Sequence, residues 1–345
     1  MEQQKPKKIS RKDFIRISGS LVAGGAIAGV SGRLIHNMVR NPDKVFYQAE
    51  GDPYEISDGD GTPSPYRKTL SVKTDSDVEA FDIMGDRLVV AGGGSITVYS
   101  GEGGVECRFA AGPDIRDIAV ADGNIYVLHP ARIEVFDSNG TMRRGWDACS
   151  DNSDYCSLAV SPSGVFVTDV FAKNICQYTL EGGLVRFIES PHGFVVPSYS
   201  FGITCHGGAV YCSNPGRHQV EIYSEDGVYR SCFGQAGTAA GSVSGCCNPV
   251  HLHVSDAGEI ITSEKGIPRV SCYSPEGSFR SVLLNKKALG GGYDAYEARI
   301  TSDGRIAAAG KNAVSIYKYD PHLARNCACE ACGVVDCPIR RGITV

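Results

Sequence analysis

Short runs of alternating apolar and polar residues fill the middle of this chain, and they come in sets. Ile-Thr-Val-Tyr99, Ile-Glu-Val-Phe136 and Val-Glu-Ile-Tyr223 share one form, a strand-like run closed by an aromatic, and the aromatic recurs at Tyr178, Tyr273 and Tyr317. An earlier run precedes each: Arg87-Leu-Val-Val, Asn124-Ile-Tyr-Val, Gly164-Val-Phe-Val, Ala209-Val-Tyr-Cys, Glu259-Ile-Ile-Thr and Arg305-Ile-Ala-Ala. Alternation of period two predicts half-buried strands. Several short strands in a unit that repeats about every 40–50 residues predict a propeller, one antiparallel sheet per unit. The expected fold is all-β, a six-bladed β-propeller over residues 65–320.

Units one to five carry a fourth run after the aromatic: Val105–Phe109, Met142–Trp146, Leu184–Ile188, Val228–Phe233 and Phe279–Leu284. Unit six lacks one, because Tyr319-Asp-Pro321 leads directly into a cysteine-rich tail. That would leave an unpaired strand edge. The segment Tyr66–Lys73 alternates like a strand and has no other partner, so it is expected to supply the outer strand of the last blade and lock the ring. Roughly 250 residues suffice to bury a large core in one such domain.

The formal net charge is −5 with 21% charged residues, and no strongly basic face is visible, which argues against a nucleic-acid partner. The exception is the amino terminus. Lys5, Lys7, Lys8, Arg11, Lys12 and Arg16 precede an uncharged Gly/Ala-rich stretch, Ile17 to Gly32. That order is the order of an export signal, and Ser10-Arg-Lys-Asp-Phe-Ile-Arg16 resembles the twin-arginine pattern with Lys12 in place of the second arginine. The stretch is shorter than the about 20 apolar residues of a spanning helix. Residues 1–36 read as an export signal or uncleaved membrane anchor, 37–64 as an Asp-, Gly- and Pro-rich linker, and the protein as exported, periplasmic or tethered outside the cytoplasm. The resemblance implies export in the folded state, often with a cofactor already inserted.

Fourteen cysteines are present. Four form the array Cys327-Ala-Cys329-Glu-Ala-Cys332-Gly-Val-Val-Asp-Cys337-Pro in the tail, residues 321–345. Four thiolates so close together can converge on one ion or cluster. Cys–Pro after the last of them resembles bacterial ferredoxin runs, although every interval differs. A four-cysteine zinc site usually pairs two C-x2-C knuckles, and here there is one. Three readings stand: an iron–sulfur cluster, zinc, or disulfides and free thiols. Within the propeller, Cys205 and Cys212 flank a hairpin where a cross-strand disulfide is conceivable, and Cys149 and Cys156 bracket the loop between units two and three. Cys107, Cys176, Cys232 and Cys272 sit in strand patterns and read as small buried hydrophobes.

Unit five carries the densest chemistry. Gly245-Cys-Cys-Asn-Pro-Val-His-Leu-His253 is followed by Thr262-Ser-Glu-Lys-Gly-Ile-Pro-Arg-Val270. Cys246 and Cys247 fall in the loop entering the inner strand, His251 and His253 alternate onto one face of it, and Glu264 and Lys265 follow the second strand. With Asn248 these are the candidate ligand-binding or redox residues, a set able to hold a metal or polar ligand at one rim. The proline before the inner strand, the acidic end of the second and the Arg-Val opening of the third resemble the NHL class of six-bladed propellers. That resemblance implies a blade-bracing role for Glu264 and for Arg269, with Asp169 at the matching place in unit three.

Three functions compete. The first is an exported or membrane-tethered accessory propeller whose tail holds an iron–sulfur centre, acting in electron transfer or redox-complex assembly beside a membrane redox complex. The second is a non-catalytic ligand- or protein-binding propeller with a zinc- or disulfide-held tail. The third is a propeller lyase or lactonase. Among the inner-strand entries only unit five offers histidines, so no multi-blade metal cage is expected and a stand-alone enzyme is the weaker reading.

Overall fold

In a computed structural model of the chain, described here for residues 64–321 and 323, the repeat folds as expected. The structure is a six-bladed β-propeller of six four-stranded antiparallel sheets. The inner strands are Ala80–Met84, Asp117–Ala121, Tyr155–Ser161, Ile203–His206, His251–Val254 and Glu297–Ile300, one per blade from one to six. Tyr66–Lys73 pairs antiparallel with Ala313–Tyr319, from Tyr66 opposite Tyr319 to Lys73 opposite Ala313. The early segment therefore supplies the missing outer strand of blade six. Ser64 donates to the Leu283 carbonyl at 2.6 Å, tying the entry to blade five. Closure by distant segments removes the edge that either end would expose. The outer strand of blade four starts at Tyr229, one residue later than its pattern predicts. Residues 1–63, which hold the assigned signal and all of the assigned linker but Ser64, and the four tail cysteines lie outside the described residues.

Burial explains the composition of each strand. The second strands, such as Gly164–Asp169 and Ile260–Glu264, are buried along their whole length because both faces pack on neighbouring blades. Outer strands such as Val105–Ala110 keep the alternating pattern of a half-wet sheet. The six repeat aromatics are all buried and form the wedges between blades. Each wedge also sets its hairpin. Gly140 has φ 82 and Gly182 φ 95, a conformation glycine adopts without strain. A Cβ at Gly140 would lie 2.4 Å from the Phe109 ring and one at Gly182 2.6 Å from the Trp146 ring. The hairpin of one blade is thus the seat for an aromatic of the blade before it.

Carboxylates on the inner strands join successive blades. Glu297 of blade six accepts the Phe81 N–H at 3.2 Å, Asp82 of blade one accepts that of Val120 at 2.7 Å, and Asp117 of blade two accepts that of Leu158 at 3.0 Å. Arg299 lies among them, 2.6 Å from Glu297 and 3.3 Å from Asp82. The cross-strand disulfide does not form. Cys205 stands opposite Val210 and Cys212 opposite Ile203, so the two sulfurs are not on facing positions. All ten propeller cysteines are free thiols.

Candidate functional site

The rim of blade five is built on a buried ion pair. Glu264 closes the second strand and Arg269 opens the third, directly opposite each other. They are 1% and 3% exposed, and the Arg269 Nε donates to Glu264 Oε1 at 2.7 Å. Arg269 also donates to the carbonyls of Thr238 at 3.0 Å and Ser242 at 2.5 Å, while Glu264 Oε2 accepts the Ser244 N–H and hydroxyl, each at 2.9 Å. The pair therefore anchors the loop ahead of the inner strand. Asn248 closes the same loop. Its amide donates to the Ser244 carbonyl at 2.5 Å and the Lys265 carbonyl at 2.8 Å, and its Oδ1 accepts the Lys265 N–H at 2.8 Å. With the side chains of Glu264, Arg269 and Asn248 all hydrogen-bonded into this arch, the loop is held rather than adaptable.

Cys246 and Cys247 sit at the apex of the arch, between Ser244 and Asn248. Their sulfurs are 3.5 Å apart, with Cys246 exposed and Cys247 half-buried beside the Ser198 hydroxyl at 3.4 Å. The hydrogen bond shared with Cys247, with some burial, raises the Cys246 pKa. The Lys265 ammonium reaches the Ser200 hydroxyl of the neighbouring loop at 3.4 Å. Two adjacent thiols on a rigid arch can clasp one soft cation or exchange with a disulfide.

The histidines face elsewhere. His251 and His253 line the central channel, opposite Ser263 and Ile261 of the second strand. Burial lowers the His251 pKa, and burial with the nearby Arg299 and His206 charges brings that of His253 down to about 3. Both imidazoles are neutral at neutral pH. Nε2 of His253 is buried without a hydrogen-bond partner. The candidate set therefore divides in two: a thiol pair on the rim, and an imidazole pair inside the ring. Glu264 and Asn248 act as scaffold for the first. Asp82, Asp117, Glu297, Arg299 and His206 join the second. Burial and the Glu297 charge push Asp117 up to about 7. Burial opposes the Arg299 charge, but Glu297, Asp82 and Asp117 outweigh it and its pKa rises.

His206 corrects the reading that blade five alone offers inner-strand histidines. The inner strand of blade four, whose entry the sequence marks at Phe201-Gly-Ile203, runs from Ile203 on to His206. The signal was a fourth residue of alternation, Ile-Thr-Cys-His, and extending the strand by that residue would have found it.

These features define the class as far as the fold goes, a six-bladed propeller with a braced dithiol rim and a charged channel. No family model matches the chain, and no curated protein does. Among solved structures it is similar to a streptogramin B lyase at 11% identity and TM-score 0.50, covering 74% of this chain and 97% of that one. It is similar to virginiamycin B lyase from Staphylococcus aureus at 12% and 0.52, covering 73% and 99%. The Pan2 WD40 domain of Neurospora crassa aligns at 9% and 0.51, covering 75% and 96%. At such identities the likeness is one of fold, shared by proteins of unlike function.

Proposed function

We propose that this chain is an exported, NHL-like accessory propeller that carries a thiolate-held iron–sulfur centre in its tail and serves electron transfer or assembly of a membrane redox complex. The observation that carries the reading is the array Cys327, Cys329, Cys332 and Cys337, four soft donors within eleven positions. The unpaired state of all ten propeller cysteines supports it. A chain that used cysteine for staples would show bridges in its folded domain, whereas this one keeps thiols, many of them buried. Export in the folded state through a twin-arginine-type signal would protect both those thiols and a preloaded centre. The four tail thiolates would hold the cluster, and the cluster would supply one-electron chemistry.

A second reading, a ligand- or protein-binding propeller, is favoured by the braced rim of blade five, which presents a fixed surface without any reaction. The lyases named among the similar structures suggest a third. It has less support, because Arg299 engages the channel carboxylates that such chemistry would use.

The test is purification of the full chain without oxygen from cytoplasmic expression, followed by a visible spectrum with iron, sulfide and zinc analysis. Broad visible absorption with matching iron and sulfide, lost in Cys329→Ser with Cys332→Ser, is expected. A colourless chain holding zinc or no metal after cluster reconstitution would overturn the redox reading and leave the binding propeller.

A further inference from the structure

We infer that Cys149, Cys176 and Asp169 form a buried site for a thiophilic divalent cation of the zinc class, wedged between blades two and three. Cys149 lies in the crossover from the outer strand Met142–Asp147 to the inner strand of blade three. Asp169 ends the second strand of blade three, and Cys176 lies on the third strand, Asn174–Tyr178. One ligand atom from each of the three lies within 4.8 Å of the other two. The two sulfurs are 3.7 Å apart. Two thiolates bound at about 2.3 Å to one tetrahedral zinc stand about 3.8 Å from each other, so the pair already has the bite of a zinc site.

The carboxylate gives independent support. Oδ1 of Asp169 is saturated by the N–H groups of Asp154, Phe171 and Ala172 at 3.2, 2.9 and 3.0 Å. Oδ2 has no partner, and the residue is 1% exposed. Among the described residues it is the one buried carboxylate oxygen in that condition. A dry acceptor of this kind calls for an unseen water or ion.

Comparison between blades shows which cation is missing. In blade five the residue ending the second strand is Glu264, and the residue opposite it is Arg269. In blade three the same two places hold Asp169 and Asn174. The acid is kept and its guanidinium is gone. In blade four the buried acid is Glu221, satisfied by Asn214 at 2.8 Å, Ser190 at 3.0 Å and the Tyr223 hydroxyl. In blade two Arg132 meets Glu134 at 2.8 Å. Blade three alone of these four has sulfur here: Asn174 stands where Arg269 and Arg132 stand in blades five and two, and Cys176 takes the third-strand position that Glu221 and Glu134 hold in blades four and two.

The surroundings suit a metal. The Tyr155 hydroxyl donates towards Cys149 at 3.6 Å and is hydrogen-bonded to the Tyr178 hydroxyl, an outer layer that orients the sulfur. Asn174 Oδ1, 3.7 Å from the Cys176 sulfur, or a water supplies the fourth position. Cys149 is only half-buried, which leaves an entry path. Binding releases the two thiol protons to solvent and forms two metal–sulfur bonds, with no redox change.

The test loads the full chain, carrying Ser at Cys327, Cys329, Cys332 and Cys337 to remove the tail array, with zinc alone, and reads equivalents bound and melting temperature. Cobalt serves as a spectroscopic probe of tetrahedral sulfur ligation. Cys149→Ser with Cys176→Ser is expected to lose one zinc equivalent and the thiolate-to-cobalt bands. Asp169→Asn keeps an acceptor for the three N–H groups, so it is expected to fold, to weaken zinc at least tenfold and to lose the zinc-dependent rise in melting temperature. Equal zinc uptake by parent and variants would overturn the inference. So would a peptide map of the native chain showing a Cys149–Cys176 disulfide. Because the tail is absent from this background, neither result depends on the iron–sulfur reading.

Discussion

Replacing Arg269 by Met removes the cation from a site where its partner Glu264 is 1% exposed. Four hydrogen bonds leave with the guanidinium, two to Glu264 and one each to the carbonyls of Thr238 and Ser242. Glu264 retains the Ser244 N–H and hydroxyl, which stabilise one oxygen but carry no charge. Breaking a buried pair from one side costs about 3–5 kcal/mol, and each stranded carbonyl adds about 1 kcal/mol where water does not replace the donor. Water can enter at the rim, so a loss of about 4 kcal/mol is expected. In a domain of this size that is roughly 10 °C in Tm. Glu264→Leu with Arg269→Met removes both charges, and the pair term should largely return, since an apolar pair of similar volume costs little against a buried ion pair. The two variants are then strongly non-additive. Urea unfolding followed by Trp146, the only tryptophan, reads the stability of the whole ring. An Arg269→Met variant within about 1 kcal/mol of wild type would refute the argument, because it would mean that water already compensates Glu264.

Two further outcomes follow from the site. Asp117 is raised to about 7 in the fold, against about 4 in the unfolded chain, so the native state binds its proton more tightly and its contribution is full below about pH 4 and lost as pH rises towards 7. Wild type should therefore lose about 3 kcal/mol relative to Asp117→Asn between about pH 5 and pH 8, at about 1.36 kcal/mol per unit up to the folded value; a flat difference in urea midpoints would show that Asp117 is ionised throughout. At the rim, a monosubstituted arsenical that bridges two thiols should attach at Cys246 and Cys247, with Cys246→Ser or Cys247→Ser weakening it at least tenfold. Peptide mapping of the native adduct checks this, and attachment elsewhere would mean that the arch does not present both sulfurs.

What the sequence carries here is whatever repeats. The aromatic at the end of each third strand, the turn glycine and the alternation are imposed by packing that is the same in every blade. Reading six copies therefore places most strands to within a residue, including the closing segment Tyr66–Lys73. The brace at Glu264 and Arg269 was implied by the NHL-like pattern of unit five and not by repetition. The channel was not legible. Asp82 and Asp117 lie far in sequence from the Glu297–Arg299 pair and meet it only because the ring closes, so no local spacing announces the cluster. His206 was passed over because a strand end is the weakest part of an alternating pattern. Cys176 was read as a core hydrophobe, which its 0% exposure matches; its nearness to Cys149 is set by the crossover loop between blades.

The comparison of blades makes a broader point about how this propeller differentiates. A closed ring needs each blade to bind the next, and where the second strand meets the third that need is met by an acid with something to satisfy it. Blade five uses arginine, blade four uses amide and hydroxyl donors, and blade three uses two sulfurs beside an acid with one oxygen unmet. Such a position tolerates chemical change because its structural demand is only that the buried charge be compensated. The arch of blade five shows the complementary route. There the brace is complete, and the loop it holds is released from any structural duty at its apex, so Cys246 and Cys247 can face solvent. Chemistry is thus added in two ways on one scaffold: by leaving a brace to be completed by a ligand, or by completing it and using the loop it fixes.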